Sequence, residues 1–227
     1  MIRRILVITA SILYAAVCFA QKDVTKFLGF PVDGSKSEMI KNLKSKGFKL
    51  SQLHGTDVLN GRFNGNDVNI YISTENGKVS RLMVCDENYV SETDIKIRFN
   101  RLCSQFNKNG KYLSLHDYMI PNDEDISYEM AVNKKRYEAL FYQLPDGETI
   151  DQLHDRLLKE FQNKYTPEQL ESPTDEIRNE VLASAFELMM NSLKNKPVWF
   201  MITEYYGKFY ITMFYDNEYN CANGEDL

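Results

Sequence analysis

The sequence predicts an α+β fold in which helices alternate with antiparallel hairpins. Short segments of alternating apolar and polar residues are joined by tight glycine-containing turns, and segments with helical spacing and capping signals separate them. Tight turns place successive strands antiparallel, so a parallel α/β fold is not expected. We expect the order α-βββ-α-ββ-αα-ββ: one meander and two hairpins, with about four helices packed on one side.

The first half of the chain predicts one helix followed by a three-stranded meander. Ser35 and Glu38 form a capping box at the start of a helix over 36–46, and Gly47 is a typical stop. Asn64-Gly65 and Asn76-Gly77 are hairpin turns. They join predicted strands over 58–63, 68–73 and 79–85.

The second half predicts the remaining helices and two hairpins. Ser91 precedes a helix that ends at Gly110, with one apolar face: Ile95, Phe99, Leu102, Cys103 and Phe106. Alternation over 126–132, a turn at Asn133-Lys134 and the segment 137–144 predict a hairpin. The spacing of Ile150, Leu153, Leu157 and Phe161 predicts another helix, and Thr166-Pro167 and Ser172-Pro173 are further helix starts. Residues 198–205 and 209–215 predict the last hairpin, expected at the centre of the sheet.

The N-terminus has the three parts of a secretory signal. Arg3 and Arg4 precede the apolar segment 5–17, and Cys18-Phe19-Ala20 fits cleavage before Gln21. We therefore expect a signal peptide over 1–20 and a single domain over 21–227, with a two-lobed split near 115–125 as a variant. The expected location is the periplasm or the exterior. An uncleaved anchor and lipidation of Cys18 remain alternatives, although Val17 stands where a lipoprotein has Gly or Ala. No later segment is apolar for long enough to span a bilayer.

Charge and composition exclude one broad class of partner. Without residues 1–20, which hold two of the 27 basic side chains and no acids, the chain keeps 25 Lys and Arg against 32 Asp and Glu, a net charge of −7. General nucleic-acid binding needs a basic surface, so no nucleic-acid partner is expected. The hydrophobic share of 43% supports a packed core.

Three cysteines remain after the predicted cleavage: Cys85, Cys103 and Cys221. Cys85 ends a predicted strand and Cys103 lies on the following helix, so a disulfide would join these two and leave Cys221 free. Two buried thiols are the alternative. No C-x-x-C pair suggests a zinc knuckle or a thioredoxin-like site.

Catalytic and cofactor motifs are absent from the sequence. It contains no G-x-S-x-G, H-E-x-x-H or phosphate-binding glycine loop, and His54, His116 and His154 are scattered. Asp216, Glu218 and Asn220 alternate as in a calcium loop, but Cys221 stands where the sharp turn needs Gly, so a solvated acidic tail is the simpler interpretation. We expect no catalytic residues, no metal and no cofactor. A carboxylate pair for hydrolysis stays open because its spacing depends on the fold.

Two tyrosines are the candidate binding residues. Tyr205 and Tyr206 adjoin the glycine of the last hairpin turn, where solvent is expected. Tyrosine combines a rigid apolar body with a hydroxyl and is common at binding surfaces. This hairpin tip is the predicted contact for a partner.

The segment Gly34-Ser35-Lys36-Ser37-Glu38-Met39-Ile40, continued by Leu43 and Gly47-Phe48, resembles the helix opening of small exported helix-plus-sheet modules. BamE-like outer-membrane assembly proteins and β-lactamase-inhibitor-like proteins are examples, although this chain has one helix rather than two before its first sheet. The whole chain also resembles bacterial exported proteins, which implies no activity. The local resemblance implies a protein-binding module. We expect a non-enzymatic envelope binding protein, with another envelope protein as its partner and a small exported carboxylate-dependent hydrolase as the alternative.

Overall fold

A computed structural model describes residues 23–53 and 55–222 of the chain. The predicted signal segment 1–20, its cleavage site and His54 lie outside the described residues. The described fold is α+β with antiparallel sheets, as predicted. A two-stranded hairpin, β1 (Lys26–Phe27) and β2 (Phe30–Pro31), precedes one large sheet.

The large sheet has eight strands in the order β3-β4-β5-β6-β10-β9-β8-β7, and every neighbouring pair is antiparallel. The strands are β3 (Lys49–Leu53), β4 (Thr56–Phe63), β5 (Asn66–Glu75), β6 (Lys78–Asp86), β7 (Tyr112–Leu113), β8 (Glu138–Gln143), β9 (Pro197–Tyr205) and β10 (Lys208–Asp216). Strands β9 and β10 lie in its interior, where the last hairpin was expected.

The described residues form six helices. They are α1 (Lys36–Ser45), α2 (Glu92–Lys108), α3 (Ile126–Ala131), α4 (Ile150–Lys164), α5 (Pro167–Glu171) and α6 (Asp175–Leu193). The capping boxes of Ser35 and Thr166 are formed. The N-cap of α6 is Thr174 rather than Ser172, because the Thr174 side chain accepts a hydrogen bond from the Ile177 N–H. Within the described ranges, no helix is both long and apolar enough to cross a membrane.

The main sheet consists of two meanders that meet at β6 and β10. Helix α1 leads into β3–β6, α2 leads into β7–β10, and the last strands of the two meanders pair with Met83 opposite Phe214. Strand β3 was not predicted. All five of its residues are exposed, so its side chains show no alternation of burial.

Helices α1 and α2 cover one face of this sheet. The predicted apolar face of α2 is buried against alternate residues of the central strands, among them Val84, Phe200, Ile202, Ile211 and Met213. Arg98 of α2 also forms a two-pronged ion pair with Asp86 at the end of β6, at 2.5 and 2.7 Å. Both side chains are largely buried, so this pair fixes the docking of α2.

The predicted strand over 126–132 is wrong: residues 126–131 form helix α3. Asp125 is the N-cap, and its carboxylate accepts the Tyr128 N–H at 2.8 Å. Ile126, its one buried side chain, packs into the core, while Tyr128 and Val132 are exposed. Met130 is partly buried against the core, so the apolar alternation combines buried and exposed positions of a short helix and does not mark a strand. The segment 137–144 does contain the predicted strand, β8.

Helices α4 and α6 form a smaller cluster at the β7–β8 edge of the sheet. Leu153 and Leu193 pack with Leu144, beside Tyr142 and Leu113. Lys196 anchors the return to β9: its side chain is 2% exposed, and its Nζ donates to Asp23 Oδ1 at 2.7 Å and to the Leu144 carbonyl at 2.9 Å.

Candidate functional site

The face of the main sheet that points away from α1 and α2 is the candidate site, and we call it the open face. Its side chains alternate with those of the core. They include Asn60, Asn69, Tyr71, Arg81, Met83, Cys85, Glu138, Leu140, Tyr142, Trp199, Met201, Thr203, Tyr205, Lys208, Tyr210, Thr212, Phe214 and Asp216. Most are half-buried, whereas the core side chains between them are fully buried. This face therefore exposes aromatic surface to solvent.

A tyrosine cluster lies at one end of the open face. Tyr206 is 88% exposed and Tyr205 52% exposed, with their ring centroids 4.6 Å apart. Tyr89 stacks on Tyr205 at 5.4 Å and meets Tyr210 edge-on at 5.2 Å. The structure thus brings both predicted binding residues together with two further tyrosines. Sequence reasoning missed Tyr89, which precedes α2 and is distant in the chain.

Polar groups without charge occupy the middle of the open face. The hydroxyls of Thr203 and Thr212 lie 3.0 Å apart across β9 and β10. On the other side of the sheet centre, the Asn60 side chain donates to Asn69 Oδ1 at 2.5 Å. Burial raises the pKa of the Tyr71 and Tyr210 phenols, so both stay neutral at physiological pH.

A fixed group of four side chains lies at the other end. Asp216 is 3% exposed, and its two oxygens accept Arg81 Nε at 2.5 Å and Nη2 at 2.8 Å. Asp216 Oδ2 also accepts the Trp199 indole N–H at 2.8 Å. Phe214 stacks on Trp199 with centroids 4.0 Å apart and planes 16° apart, and the Arg81 guanidinium lies over both rings. These bonds hold the indole in one orientation.

A cleft of about 530 Å³ opens beside Trp199. Its apolar wall contains Trp199, Leu140, Tyr142 and Tyr118, and its polar wall has charged groups: Arg136, Glu138, Lys194, Asp216 and Glu218. Arg136 and Glu138 form an ion pair at 2.9 Å, and Asp216 is paired with Arg81. Partial burial raises the pKa of Glu218, and the nearby Asp216 carboxylate raises it further. This volume is typical of small-molecule sites.

The predicted tail is not simply solvated. Asp216 and Asn217 are buried, and the Asn217 side chain donates to the Val32 carbonyl at 2.7 Å. Asn220 donates to Asp33 and to the Val79 carbonyl, both at 2.8 Å. Across the described part of the chain, no three His, Cys, Asp or Glu side chains are grouped so as to hold a metal ion. The alternation of Asp216, Glu218 and Asn220 serves packing and the cleft.

The structure does not contain the candidate disulfide between Cys85 and Cys103. Cys85 points to the open face, where its thiol contacts Thr212 Oγ1 at 3.9 Å, while Cys103 lies on the core-facing side of α2. The sheet separates them, and both are free thiols, as is Cys221. Burial raises the pKa of Cys85 to about 11 and of Cys103 to about 12, so neither is an activated nucleophile.

Comparison of the chain with protein-family models, curated proteins and solved structures finds no match in any of the three. The resemblance of residues 34–48 to envelope modules stays a prediction.

Proposed function

We propose that the protein is an exported binding module of the cell envelope that holds its ligand against the open face. The observation that carries this proposal is the contrast between the two faces of one sheet. One face is closed by α1 and α2, whereas the other exposes half-buried Tyr, Trp and Met side chains over its central strands. Antiparallel sheets tolerate a solvated face, but that face is usually polar. A solvated face rich in aromatic rings indicates a binding surface.

Export is the second part of the proposal and is supported by the N-terminal sequence. Arg3, Arg4 and the apolar segment 5–17 have the composition of a signal, and small residues precede Gln21. The expected partner is another envelope component.

A carboxylate-dependent hydrolase is the second candidate, supported by the raised pKa of Glu218 in the cleft. A two-carboxylate mechanism would pair Glu218 with Asp216. However, both oxygens of Asp216 already accept hydrogen bonds from Arg81 and Trp199. Asp216 is therefore a structural anchor, and this arrangement favours binding over hydrolysis. Hydrolytic activity that disappears in Glu218→Gln would support the enzyme instead.

Site-specific photo-crosslinking tests the binding proposal. A photoreactive amino acid in place of Met201 would sit in the middle of the open face, half-buried between Glu138 and Thr212. The matched control replaces Arg101, an exposed residue of α2 on the opposite side of the sheet. In exporting cells we expect a saturable crosslinked product from position 201 and none from position 101. Equal products, or none from position 201, would contradict the proposal.

A further inference from the structure

The cleft end of the open face combines aromatic surface with balanced charge. Its ionic groups include two ion pairs, Arg81 with Asp216 and Glu138 with Arg136. Among the described residues that line the cleft, Lys194 and Glu218 carry charges outside ion pairs, and these two have opposite sign. The cleft therefore offers no excess charge to a polyanion or a polycation.

We propose that the open face and its cleft bind a neutral saccharide chain, with Trp199 as the main stacking platform. This inference rests on the proposed binding function and names the ligand class. A pyranose ring presents an apolar face of C–H groups and an edge of hydroxyls that donate and accept. It therefore fits a site of aromatic rings bordered by uncharged or internally paired polar groups.

Trp199 is suited to this role because its orientation is fixed before any ligand binds. The N–H bond to Asp216 and the stack on Phe214 remove the rotational freedom of the ring. Phe214 stacks on the indole, the Arg81 guanidinium lies 5.7 Å from the ring centroid, and Trp199 also lines the cleft. A ligand that stacks there does not bear the entropy cost of ordering this side chain.

The length of the face matches a chain rather than a single sugar. Trp199 and Tyr205 lie six residues apart on β9, which corresponds to about 20 Å along a strand. Between them lies the half-buried hydroxyl of Thr203, which is bonded to the buried Thr212, and Tyr210 and Tyr89 stand at the far end. Hydroxyl groups of this kind make directional bonds to sugar hydroxyls without a charge to desolvate.

The protein contains one tryptophan, so emission excited selectively from tryptophan rather than from its fourteen tyrosines reports on this site alone. The probes are hexasaccharides of β-1,4-linked glucose, α-1,4-linked glucose and β-1,4-linked N-acetylglucosamine, with a heparin hexasaccharide as the anionic control. We expect a saturable change of Trp199 emission with at least one neutral probe at concentrations up to about 10 mM, and none with heparin. No response to any neutral probe, or a response to heparin alone, overturns the inference.

Substitutions locate the binding. Leu140→Arg places a long charged side chain in the wall of the cleft at a half-exposed position, and should weaken binding at least about tenfold. Tyr128→Ala, an exposed tyrosine on α3, is the matched control and should leave affinity unchanged. If both variants weaken saccharide binding equally, the assignment of the binding site to the cleft is wrong. The wild-type titration decides the ligand class even if Leu140→Arg fails to fold.

The crosslinking experiment separates the two proposals. If position 201 crosslinks to a protein and no saccharide changes the Trp199 emission, the saccharide inference is wrong. The proposed binding function is then still supported. Saturable saccharide binding that Leu140→Arg weakens supports both. No crosslinked product and no titration response contradict both.

Discussion

Asp216 is the residue on which the cleft end of the open face depends. It extends from β10, binds Arg81 of β6 on one side and Trp199 of β9 on the other, and is almost fully buried. A carboxylate held in this way joins three strands through charge-assisted hydrogen bonds. Without this carboxylate, Arg81 and the Trp199 N–H would lack their acceptor, so Asp216 should contribute to the free energy of unfolding.

Asp216→Ala should reduce the free energy of unfolding by about 2–3 kcal/mol, because Arg81 and the Trp199 N–H lose their buried acceptor. Urea denaturation followed by Trp199 fluorescence measures this. The control is Arg62→Ala, which removes an exposed ion pair with Asp67 at 3.6 Å and should cost about 0.5 kcal/mol or less. Similar losses in the two variants would disprove the anchoring role.

The buried thiols predict a pH dependence. The pKa of Cys103 is raised to about 12 in the fold, by burial and then by Asp117, so above the ordinary thiol value of 9.0 the unfolded chain loses this proton first. Below pH 9, the neutral Cys103 thiol makes its full contribution to the free energy of unfolding. This contribution falls as the pH rises from 9 towards 12, by up to about 1.4 kcal/mol per pH unit. Stability measured between pH 8 and 10 should fall less steeply in Cys103→Ala. Parallel curves would argue against a buried neutral thiol.

At the scale of elements, β4 accommodates the aromatic ring of Phe48 because it has glycine at position 61. Gly61 lies in β4 beneath Phe48, whose ring carbon Cδ1 would stand 2.5 Å from an added Cβ. Phe48 is 4% exposed and belongs to the core, so the ring has little room to withdraw. The absence of a side chain at position 61 is therefore a packing requirement.

Gly61→Ala should destabilise the protein by about 1–3 kcal/mol through overpacking against Phe48. Gly110→Ala is the matched control, because an added Cβ there meets nothing within 4 Å. Thermal unfolding of the two variants beside the wild type compares them directly. An unchanged melting temperature for Gly61→Ala would show that the ring moves freely.

At the scale of the whole molecule, local signals were predictable and distant pairings were not. Asn64-Gly65 and Asn76-Gly77 set their hairpins through positive backbone φ angles, a property of the dipeptide itself. The apolar alternation over 126–132 predicted a strand, but the Asp125 side chain caps a helix there. The pairing of Arg81 with Asp216 depends on the register between β6 and β10, and no local pattern encodes that register. The aromatic tip could be predicted from Tyr205 and Tyr206, but the cleft could not.

Export concerns the molecule as a whole and has a direct test. If residues 1–20 are removed, the protein recovered from the periplasm or the medium begins at Gln21. Intact-mass spectrometry should give the mass of residues 21–227. A mass that retains the first twenty residues, or an acyl chain on Cys18, would contradict this expectation.

The seam between β6 and β10 also governs the order in which the molecule is completed. Arg81 and Asp216 are 135 positions apart, so this contact closes a very long loop, which slows folding compared with the local hairpins. During synthesis the first meander emerges well before β10, and until then β6 is an edge strand whose backbone donors and acceptors on the side away from β5 are unpaired. The platform that Trp199 provides is thus assembled among the last contacts of the fold, and an incompletely folded chain has no working cleft.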